Sequence, residues 1–412
     1  MVPNDWDTKQ LCEIAHITSG GTPSRKKPEY WNQASVPWIR TTEVQNCILN
    51  FEDVKEFISE LGLQKSSAKV VPAGTLLLAM IGQGKTRGQV ALLKFDACTN
   101  QNCAAIIFDD KYDSEFYYNF LLSQYKNLRA LSNNAGQSNL SGGLVKTINV
   151  PVPPYIEQRK IANILGTWDK AISTTERLID SSNKQKKSLM QQLLTGKKRL
   201  LDESRKPFEG EWEDKYLHDV AQIIVSPVDK KTIEGEIPVE LCNYTDVYYN
   251  TRITNSLTFM KATAKQSEID KYTLKVNDVI VTKDSETPGD IAVPALVGED
   301  LNGVVCGYHL AIIRPNNELV EGAFLNYLFS MPKTRYYFFT LATGATRFGL
   351  SVGGINKAHF TLPPLVEQQK IVAVLTNTDK EIELFDQQLA DLKQEKKALM
   401  QQLLTGKRRV KV

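Results

Sequence analysis

One internal repeat organises this 412-residue sequence. Shifted by 210 residues, segment 153–199 aligns with segment 363–409 without a gap, and 22 of the 47 positions are identical. The stretch MQQLLTGK, for example, begins at both Met190 and Met400. Solenoid repeats have periods of about 20–50 residues, so this long period indicates a duplication of whole domains. We therefore expect two variable segments, each followed by one copy of the repeated segment.

Each copy of the repeated segment is predicted to be a long helix. Pro154 and Pro364 precede the two starts, and a glycine among basic residues marks each end. A 4-3 spacing, typical of a coiled-coil seam, is apolar at seven of ten positions in the first copy and eight of ten in the second. The apolar seam residues are Ile161, Leu165, Trp168, Ile172, Ile179, Leu189, Leu193, Ile371, Leu375, Ile382, Phe385, Leu389, Leu392, Leu399 and Leu403.

The partner of each predicted helix is expected to be the other copy in the same chain. About 40 residues at 1.5 Å rise give a rod of roughly 60 Å. A closed twofold is the commoner way for two equivalent units to associate, which favours an antiparallel, pseudo-twofold coiled coil with the variable domains at opposite ends. Lys186 and Lys396 interrupt both seams at the same place. Local splaying or a docking surface would explain them, but snorkelling to solvent is the ordinary outcome.

The two variable segments share a framework and differ in their loops. WDTKQLCEIA is matched by WEDKYLHDVA, and CAAII by HLAII. Strand-like runs such as GTLLLAMI and NDVIVT come before a short helix and a glycine-rich turn. Each segment is expected to be a mixed α/β domain. The predicted fold class is therefore α+β, with two mixed α/β domains at 1–153 and 201–362 and long helices at 154–200 and 363–412.

The composition is that of a globular protein, with 42% hydrophobic and 24% charged residues. The sequence shows no signal peptide or membrane span, and we expect a cytoplasmic protein. Six cysteines without a CxxC pair and four scattered histidines predict neither a disulfide framework nor a metal site.

Charge is unevenly distributed along the chain. Residues 1–153 carry 15 basic and 14 acidic groups, 154–200 carry 10 and 4, 201–362 carry 16 and 22, and 363–412 carry 9 and 7. The respective net charges are +1, +6, −6 and +2. A strongly basic surface is the usual sign of a nucleic-acid binder, so any such function in the variable domains must depend on local clusters.

Two short motifs resemble catalytic signatures without matching them. GQGKTRG, at 82–88, suggests a phosphate-binding loop, but Ala79 stands where that pattern needs glycine, and the following RGQVALLKF predicts a strand instead of a helix. VPPY, at 152–155, resembles the methyltransferase signature Asp/Asn-Pro-Pro-Tyr/Phe, yet Val152 replaces its polar first residue. A non-catalytic chain that binds a target is the better interpretation.

The layout closely resembles the specificity subunit of type I restriction-modification systems over essentially the whole chain. The most specific residues are PPYIEQRKIA with QQLLTGKK and PPLVEQQKIV with QQLLTGKR. SGGTPSRKKPEYW, VPWIR and NQNCAAI also look like the first recognition domain of that family. The second variable segment departs from this pattern, because VSPVDKKTIEGEIPVEL replaces GGTPS.

The resemblance implies a DNA-binding subunit without catalytic residues. Segments 1–153 and 201–362 would be target-recognition domains, each reading one half of a bipartite, asymmetric site on double-stranded DNA. The coiled coil would set the distance between the halves and dock two methyltransferase subunits and ATP-dependent restriction subunits. The resemblance places S-adenosylmethionine, ATP and Mg in those partners, with no cofactor in this chain.

Side chains that can bond to base edges and phosphates are the expected DNA contacts in both domains. In the first domain the candidates are Thr22, Ser24, Arg25, Lys26, Arg40, Lys85, Arg87, Gln137, Ser138 and Asn139. In the second domain they are Lys283, Ser285, Thr346 and Arg347.

Two other functions stay open from the residues alone. The near-neutral first domain and the acidic second domain permit a nonenzymatic coiled-coil scaffold whose end domains bind protein. The loop around Lys85 permits a nucleotide-dependent enzyme. Salt-sensitive DNA retention would favour the specificity subunit over the scaffold. ATP binding by the isolated chain would support the nucleotide-dependent enzyme.

Overall fold

The computed structural model describes residues 3, 5–82, 84–134 and 139–411. These residues form two compact units, and each unit combines parts distant in sequence. The first unit contains residues 1–177 and 387–412, and the second contains residues 178–386. The units therefore cut across the four predicted segments, because each long helix is divided between them. None of the helices in the described residues is long and apolar enough to cross a membrane.

The first unit contains a mixed α/β domain followed by the start of a long helix. Its strands are β1 (Asp7–Gln10), β2 (Ala15–Ser19), β3 (Val36–Ile39), β4 (Cys47–Leu49), β5 (Phe57–Ile58), β6 (Val70–Val71), β7 (Leu76–Ala79), β8 (Val90–Leu93), β9 (Ala97–Thr99), β10 (Cys103–Phe108) and β11 (Asn149–Val152). Its helices are α1 (Leu11–Ile14), α2 (Glu60–Gln64), α3 (Ser114–Ser123), α4 (Tyr125–Asn134), α5 (Gly142–Lys146) and α6 (Tyr155–Leu193), with 3-10 turns at Pro28–Tyr30, Thr41–Glu43 and Phe51–Asp53.

The second unit repeats this arrangement. Its strands are β12 (Glu213–Tyr216), β13 (Ala221–Val225), β14 (Ile237–Cys242), β15 (Arg252–Ile253), β16 (Met260–Ala264), β17 (Val279–Thr282), β18 (Asp284–Ser285), β19 (Pro294–Val297), β20 (Val305–Cys306), β21 (Leu310–Pro315), β22 (Phe348–Gly349) and β23 (His359–Leu362). Its helices are α7 (Leu217–Val220), α8 (Tyr244–Tyr248), α9 (Gln266–Tyr272), α10 (Gly322–Ser330), α11 (Pro332–Leu341), α12 (Val352–Asn356) and α13 (Leu365–Leu403), with a 3-10 turn at Pro288–Asp290.

The two domains have corresponding sheets. The order β2-β10-β7-β8-β4 in the first domain matches β13-β21-β17-β19-β15 in the second. In both, the last strand pairs parallel to its neighbour and the other pairs are antiparallel. A further sheet is β5-β3-β9-β6 in the first domain and β16-β14-β20 in the second. The central strands β7, β8 and β17 are buried along their whole length, as their unbroken apolar runs predict.

The two long helices carry the predicted seam. Helices α6 and α13 both have 39 residues, and every position of the 4-3 register is buried or half-buried, including the polar Thr175, Ser182 and Thr378. Leu178 and Leu384, two apolar residues near the middle of the helices and outside the register, are exposed. The period of the sequence therefore predicted which face of each helix is covered.

Ion pairs inside each unit show that the helices run antiparallel. In the first unit, Lys396 of α13 donates to Asp169 of α6 over 2.5 Å. In the second unit, Lys186 of α6 pairs with Asp379 of α13, which also accepts a 2.6 Å hydrogen bond from Tyr327. A position early in one helix thus meets a position late in the other, which confirms the predicted fold class.

The preference for snorkelling at the two seam lysines is therefore wrong. Lys396 is only 8% exposed, and Lys186 is half-buried. Each lies in the seam because an aspartate on the opposite helix neutralises its charge there, a pairing that the sequence of one helix alone does not reveal.

The repeated Glu-Gln pair anchors the start of each long helix. Gln158 accepts a hydrogen bond from the backbone of Asp113 and donates one to Pro153, and Gln368 makes the corresponding bonds with Glu321 and Pro363. Both glutamines are almost fully buried. These bonds connect the helix start to the residue before helix α3 or α10, so the two elements are held in a fixed relation.

The neighbouring glutamates bind an arginine that follows the other long helix. Glu157 accepts two hydrogen bonds from Arg409, at 2.7 and 2.8 Å, and Glu367 accepts two from Arg199, both at 2.7 Å. Both carboxylates are fully buried, and bidentate pairing with arginine is the strongest form of ion pair for such a group. Trp6 adds a 3.0 Å hydrogen bond to Glu157.

The MQQLLTGK stretch completes the core of the unit that contains it. Leu193 and Leu194, at the end of α6, lie in the core of the second unit, and Leu403 and Leu404 lie in the core of the first. The following glycine, at 196 or 406, has a left-handed φ of +68° or +70°, which ends the helix without a Cβ penalty. The stretch occurs twice because each domain core requires one copy.

Replacing Arg199 with alanine should destabilise the second unit. The Glu367 carboxylate would stay buried without its partner, and we expect a loss of about 3 kcal/mol in the free energy of unfolding, the low end for such a pair because Arg199 is a quarter exposed. Urea unfolding of the full chain measures this. The double variant Arg199→Met/Glu367→Gln, which buries no charge, should recover most of the loss; equal instability of both variants would show that packing, and not charge, is responsible.

Candidate nucleic-acid interface

Two glycines position the first group of candidate residues. A Cβ atom on Gly20 would lie 1.8 Å from the Thr99 carbonyl oxygen, and one on Gly21 would lie 2.1 Å from the Ser67 hydroxyl. The Gly21 carbonyl oxygen also accepts a 2.9 Å hydrogen bond from the Trp38 indole. The chain can pass this close to strand β9 and to Ser67 only without side chains, and it then presents residues 24–27 at the surface.

Arg25 is held between an aromatic ring and a carboxylate. Its guanidinium lies 3.5 Å from the centre of the Trp31 ring and forms an ion pair with Glu56. Glu56 is also 3.6 Å from the Arg40 guanidinium, and its pKa is lowered, chiefly by the hydrogen bond from Arg25. Two cations thus share one carboxylate. The side chain of Arg25 is 51% exposed, so this stacked arginine can approach a phosphate or a base edge.

The remaining candidates in this segment are surface groups. Thr22 donates a 2.6 Å hydrogen bond to the side-chain oxygen of Gln101, which leaves the amide group of Gln101 exposed beside it. Ser24 and Lys26 are exposed, and the Ser24 carbonyl oxygen accepts a bond from the Trp31 indole. The sequence interpretation did not select Gln101 or Trp31 as site residues, although amide and aromatic groups near a basic turn are the signal for them.

The loop between β7 and β8 is basic and is fixed to helix α4. Tyr125 donates a 2.6 Å hydrogen bond to the Lys85 carbonyl oxygen, and Arg129 donates to the carbonyl oxygens of Gly84 and Arg87. Strand β8 follows the loop, as the sequence predicted. A phosphate-binding loop would instead be followed by a helix. Lys85 is exposed, whereas Arg87 is only 8% exposed. The burial of Arg87 counts against a direct DNA contact by this residue.

The glycine-rich turn of the first domain is described only in part. Asn139 is exposed, and Gln137 and Ser138 lie outside the described residues. The next residue, Leu140, is buried and donates a backbone hydrogen bond to Met80, at the end of β7. This bond places Asn139 near the start of the basic loop.

In the second domain, short strands bring distant charged residues together. Strand β18 pairs with β22, which joins Lys283 and Asp284 to the turn at 343–349. The Asp284 carboxylate lies 2.9 Å from Nδ1 of His309 and 3.1 Å from the Lys283 ammonium. Burial opposes ionisation of Asp284, but the hydrogen bonds from His309 and Lys283 outweigh it and lower its pKa.

Arg347 contacts the same histidine. One of its terminal nitrogens lies 2.7 Å from Nε2 and 3.1 Å from Nδ1 of His309. Thr346 and Arg347 are exposed, but Ser285 is only 7% exposed and its hydroxyl bonds with Tyr244 over 3.2 Å. The structure therefore brings Lys283 and Arg347 together at the surface and places Ser285 inside.

Further aromatic and basic residues adjoin this group. The Tyr308 ring lies 3.6 Å from the His309 ring, and the Lys230 ammonium lies 5.9 Å from the Tyr308 ring. None of these three residues was selected from the sequence, because they gain a common location only through the sheet. We name Lys230, Lys283, Asp284, Tyr308, His309 and Arg347 the second-domain cluster. Within the described residues, no group of His, Cys, Asp and Glu is arranged to hold a metal ion.

Comparison with known proteins identifies the family. The model of the type I restriction modification DNA specificity domain matches residues 3–182 and 209–394, which is most of the chain and includes both halves of the duplication. The chain therefore belongs to the family of type I restriction-modification DNA specificity proteins. It is a specificity subunit, the non-catalytic component that recognises DNA, and the scaffold alternative is not favoured.

Individual relatives agree with this assignment. The putative type I restriction enzyme MjaX specificity subunit of Methanocaldococcus jannaschii is 27% identical over 450 aligned residues, covering 100% of this chain and 95% of that protein. The MjaIX specificity subunit of the same organism is 32% identical over 181 residues, 43% of this chain and 40% of the relative. The EcoKI specificity subunit of Escherichia coli is 23% identical and covers 90% of this chain and 81% of the relative.

Solved structures share the fold. The crystal structure of the S subunit from M. genitalium has a TM-score of 0.58 at 14% identity and covers 98% of this chain and 97% of that one. A chain from a study of assembly and conformational transition in the type I system has a TM-score of 0.59 at 18% identity, with 98% and 99% coverage.

Lys85 and Arg87 should respond differently to substitution. Lys85→Ala should weaken binding of all duplexes to a similar extent and reduce the slope of log affinity against log salt by about one, because one phosphate contact is lost. Arg87→Ala should instead lower the thermal stability of the chain, since the guanidinium is buried. Salt-titrated gel shifts and thermal unfolding measure the two effects. An unchanged salt slope in Lys85→Ala would remove this residue from the interface.

Proposed function

We propose that the chain selects a bipartite, asymmetric sequence on double-stranded DNA, with one half read by each domain. The observation that carries this proposal is the contrast within the duplication. The five-stranded sheets of both domains have the same order of strands, and both domains have the same Glu-Gln and Glu-Arg anchors, but their exposed cationic loops differ. Equivalent frameworks suit two equivalent contacts with a duplex, and unlike loops suit unlike half-sites.

The surfaces proposed for reading are assembled from several elements in each domain. In the first domain they comprise Thr22, Ser24, Arg25, Lys26, Arg40, Gln101, Lys85 and Asn139; in the second they comprise Thr346 and the second-domain cluster. Both include arginine beside an aromatic ring, an arrangement that keeps a planar, charged group oriented for phosphate or guanine. Gln137 and Ser138 stay predictions from the sequence.

The long helices have two proposed tasks. They set the unread distance between the half-sites, because α6 and α13 each contribute to both units. They also provide the docking surface for two methyltransferase subunits and for the restriction subunits. The relatives' names describe specificity subunits of type I restriction enzymes, and one structural neighbour comes from work on complex assembly. We propose cytoplasmic assembly, with S-adenosylmethionine, ATP and Mg bound by the partners.

The domain boundaries of this proposal follow the sequence. Recognition domains occupy 1–153 and 201–362, and the repeated helical segments occupy 154–200 and 363–412. The family model and the helix bounds are compatible with this division, while the compact units join each recognition domain to parts of both helices.

Methylome sequencing of cells that express the chain with its methyltransferase subunit should yield one motif of two specified blocks separated by a fixed gap. The reason is that each domain reads its own block while the helices hold the gap constant. Cells that express the methyltransferase subunit alone are the control and should lack the motif. A continuous motif, or two blocks with a variable gap, would contradict the proposal.

A further inference from the structure

The second domain has an unfavourable overall charge for contact with DNA. Residues 201–362 carry 16 basic and 22 acidic groups, a net charge of −6. Non-specific attraction to phosphates depends on cations, so this domain needs a local surface where cations prevail. The second-domain cluster is such a surface, because it combines the cations Lys230, Lys283 and Arg347 with one carboxylate, that of Asp284. The carboxylate of Asp229, next to Lys230, is paired with a further cation, Lys231.

The backbone of the cluster is held in an uncommon conformation at His309. Its φ is +72°, in the left-handed region that residues with a Cβ rarely adopt and that costs free energy. The conformation is maintained by a 2.7 Å hydrogen bond from the Lys283 backbone to the His309 carbonyl oxygen. In this conformation the imidazole of His309 lies against Asp284. The residue is therefore held at two points, by the hydrogen bond to its backbone carbonyl and by the contact of Nδ1 with the Asp284 carboxylate.

Arg347 is presented by an equally constrained turn. Thr343 and Gly349 exchange two backbone hydrogen bonds, at 3.1 and 2.9 Å, which close the turn around Arg347. Gly344 has a φ of +145°, and a Cβ atom there would lie 1.9 Å from the Arg347 carbonyl oxygen, so the turn requires glycine at this position. The loop therefore leaves the arginine backbone little freedom.

The side chain of Arg347 is oriented but not neutralised. One terminal nitrogen rests against His309, while within the described part of the chain the guanidinium makes no ion pair with a carboxylate. Asp284 contacts the imidazole ring of His309, and it is this ring that contacts Arg347. Arg25 of the first domain differs, because Glu56 pairs with it directly. The exposed guanidinium of Arg347 thus keeps N–H groups available for an external acceptor.

We propose that Arg347 reads a guanine in the half-site bound by the second domain, and that His309 and Asp284 are positioning residues for it. This inference rests on the proposed function. The two acceptors O6 and N7 of guanine in the major groove match the fork of an arginine, which is the commonest specific contact between protein and DNA. Prior orientation by His309 reduces the entropy lost on binding, and Lys230 and Lys283 can take neighbouring phosphates.

The test compares methylome motifs and duplex affinities for variants of the full chain expressed with the methyltransferase subunit. Arg347→Ala should relax one guanine position in the second block and leave the first block unchanged. Affinity for the cognate duplex should fall about 5- to 150-fold, corresponding to the ~1–3 kcal/mol of a bidentate contact. Affinity for a duplex that already lacks this guanine should change little.

Conservative variants separate reading from general attraction. Arg347→Lys keeps the charge but not the fork, so it should retain the salt slope and lose discrimination at the same position. His309→Asn preserves the left-handed backbone, which asparagine tolerates, and removes the imidazole; it and Asp284→Asn should relax the same position to a smaller extent. Lys261→Ala removes an exposed charge elsewhere in the domain and should leave the motif unchanged.

Three results would overturn the inference. The guanine preference could persist in Arg347→Ala, all duplexes could weaken equally as for a phosphate contact, or the wild-type second block could contain no guanine on either strand. Each of these leaves a bipartite wild-type motif intact. Failure of the proposed function is distinguishable from them, because the wild-type chain would then give no bipartite motif.

Discussion

The buried carboxylate at the start of each long helix is the contact on which each unit depends. A fully buried charge is unfavourable unless a partner compensates it, so Glu157 and Glu367 both require an arginine. The arginine comes from beyond the end of the other helix, as Arg409 or Arg199. Each fork can form only when one helix begins where the other ends. One interaction thus specifies antiparallel order, and it also closes the domain core onto both helices.

The repeated and the variable residues have separate physical tasks. The residues common to both copies, such as those of MQQLLTGK and the Glu-Gln pair, make contacts within a unit. The residues that differ, such as Arg25 and Arg347, lie on turns whose position is fixed by backbone bonds and glycines. Because the side chains of Arg25 and Arg347 are exposed, a substitution at either position leaves the contacts of the domain core in place. Two halves of one duplication can therefore carry different recognition surfaces on one framework.

The sequence predicted the helices well and the interface only in part, for a physical reason. Helix bounds and the covered face follow from proline, glycine and a 4-3 period, which are local signals. The pairing of Lys396 with Asp169 joins positions 227 residues apart and needs the packed structure. Arg87 resembled a surface cation in the sequence, but it is only 8% exposed in the folded chain. His309 had no local signal at all, because its neighbours Asp284 and Arg347 reach it only through strand pairing.

The distribution of charge along the chain assigns non-specific attraction to DNA and selectivity for a base sequence to different segments. The repeated helical segments carry net charges of +6 and +2, while the second recognition segment carries −6. Attraction to phosphates does not depend on sequence and is weakened by salt, so helices rich in lysine can supply it without reading bases. An acidic domain gains little from such attraction and must obtain its selectivity from a few well-oriented groups. The constrained backbone at His309 and the turn around Arg347 meet this requirement, because orientation raises specificity without adding net charge.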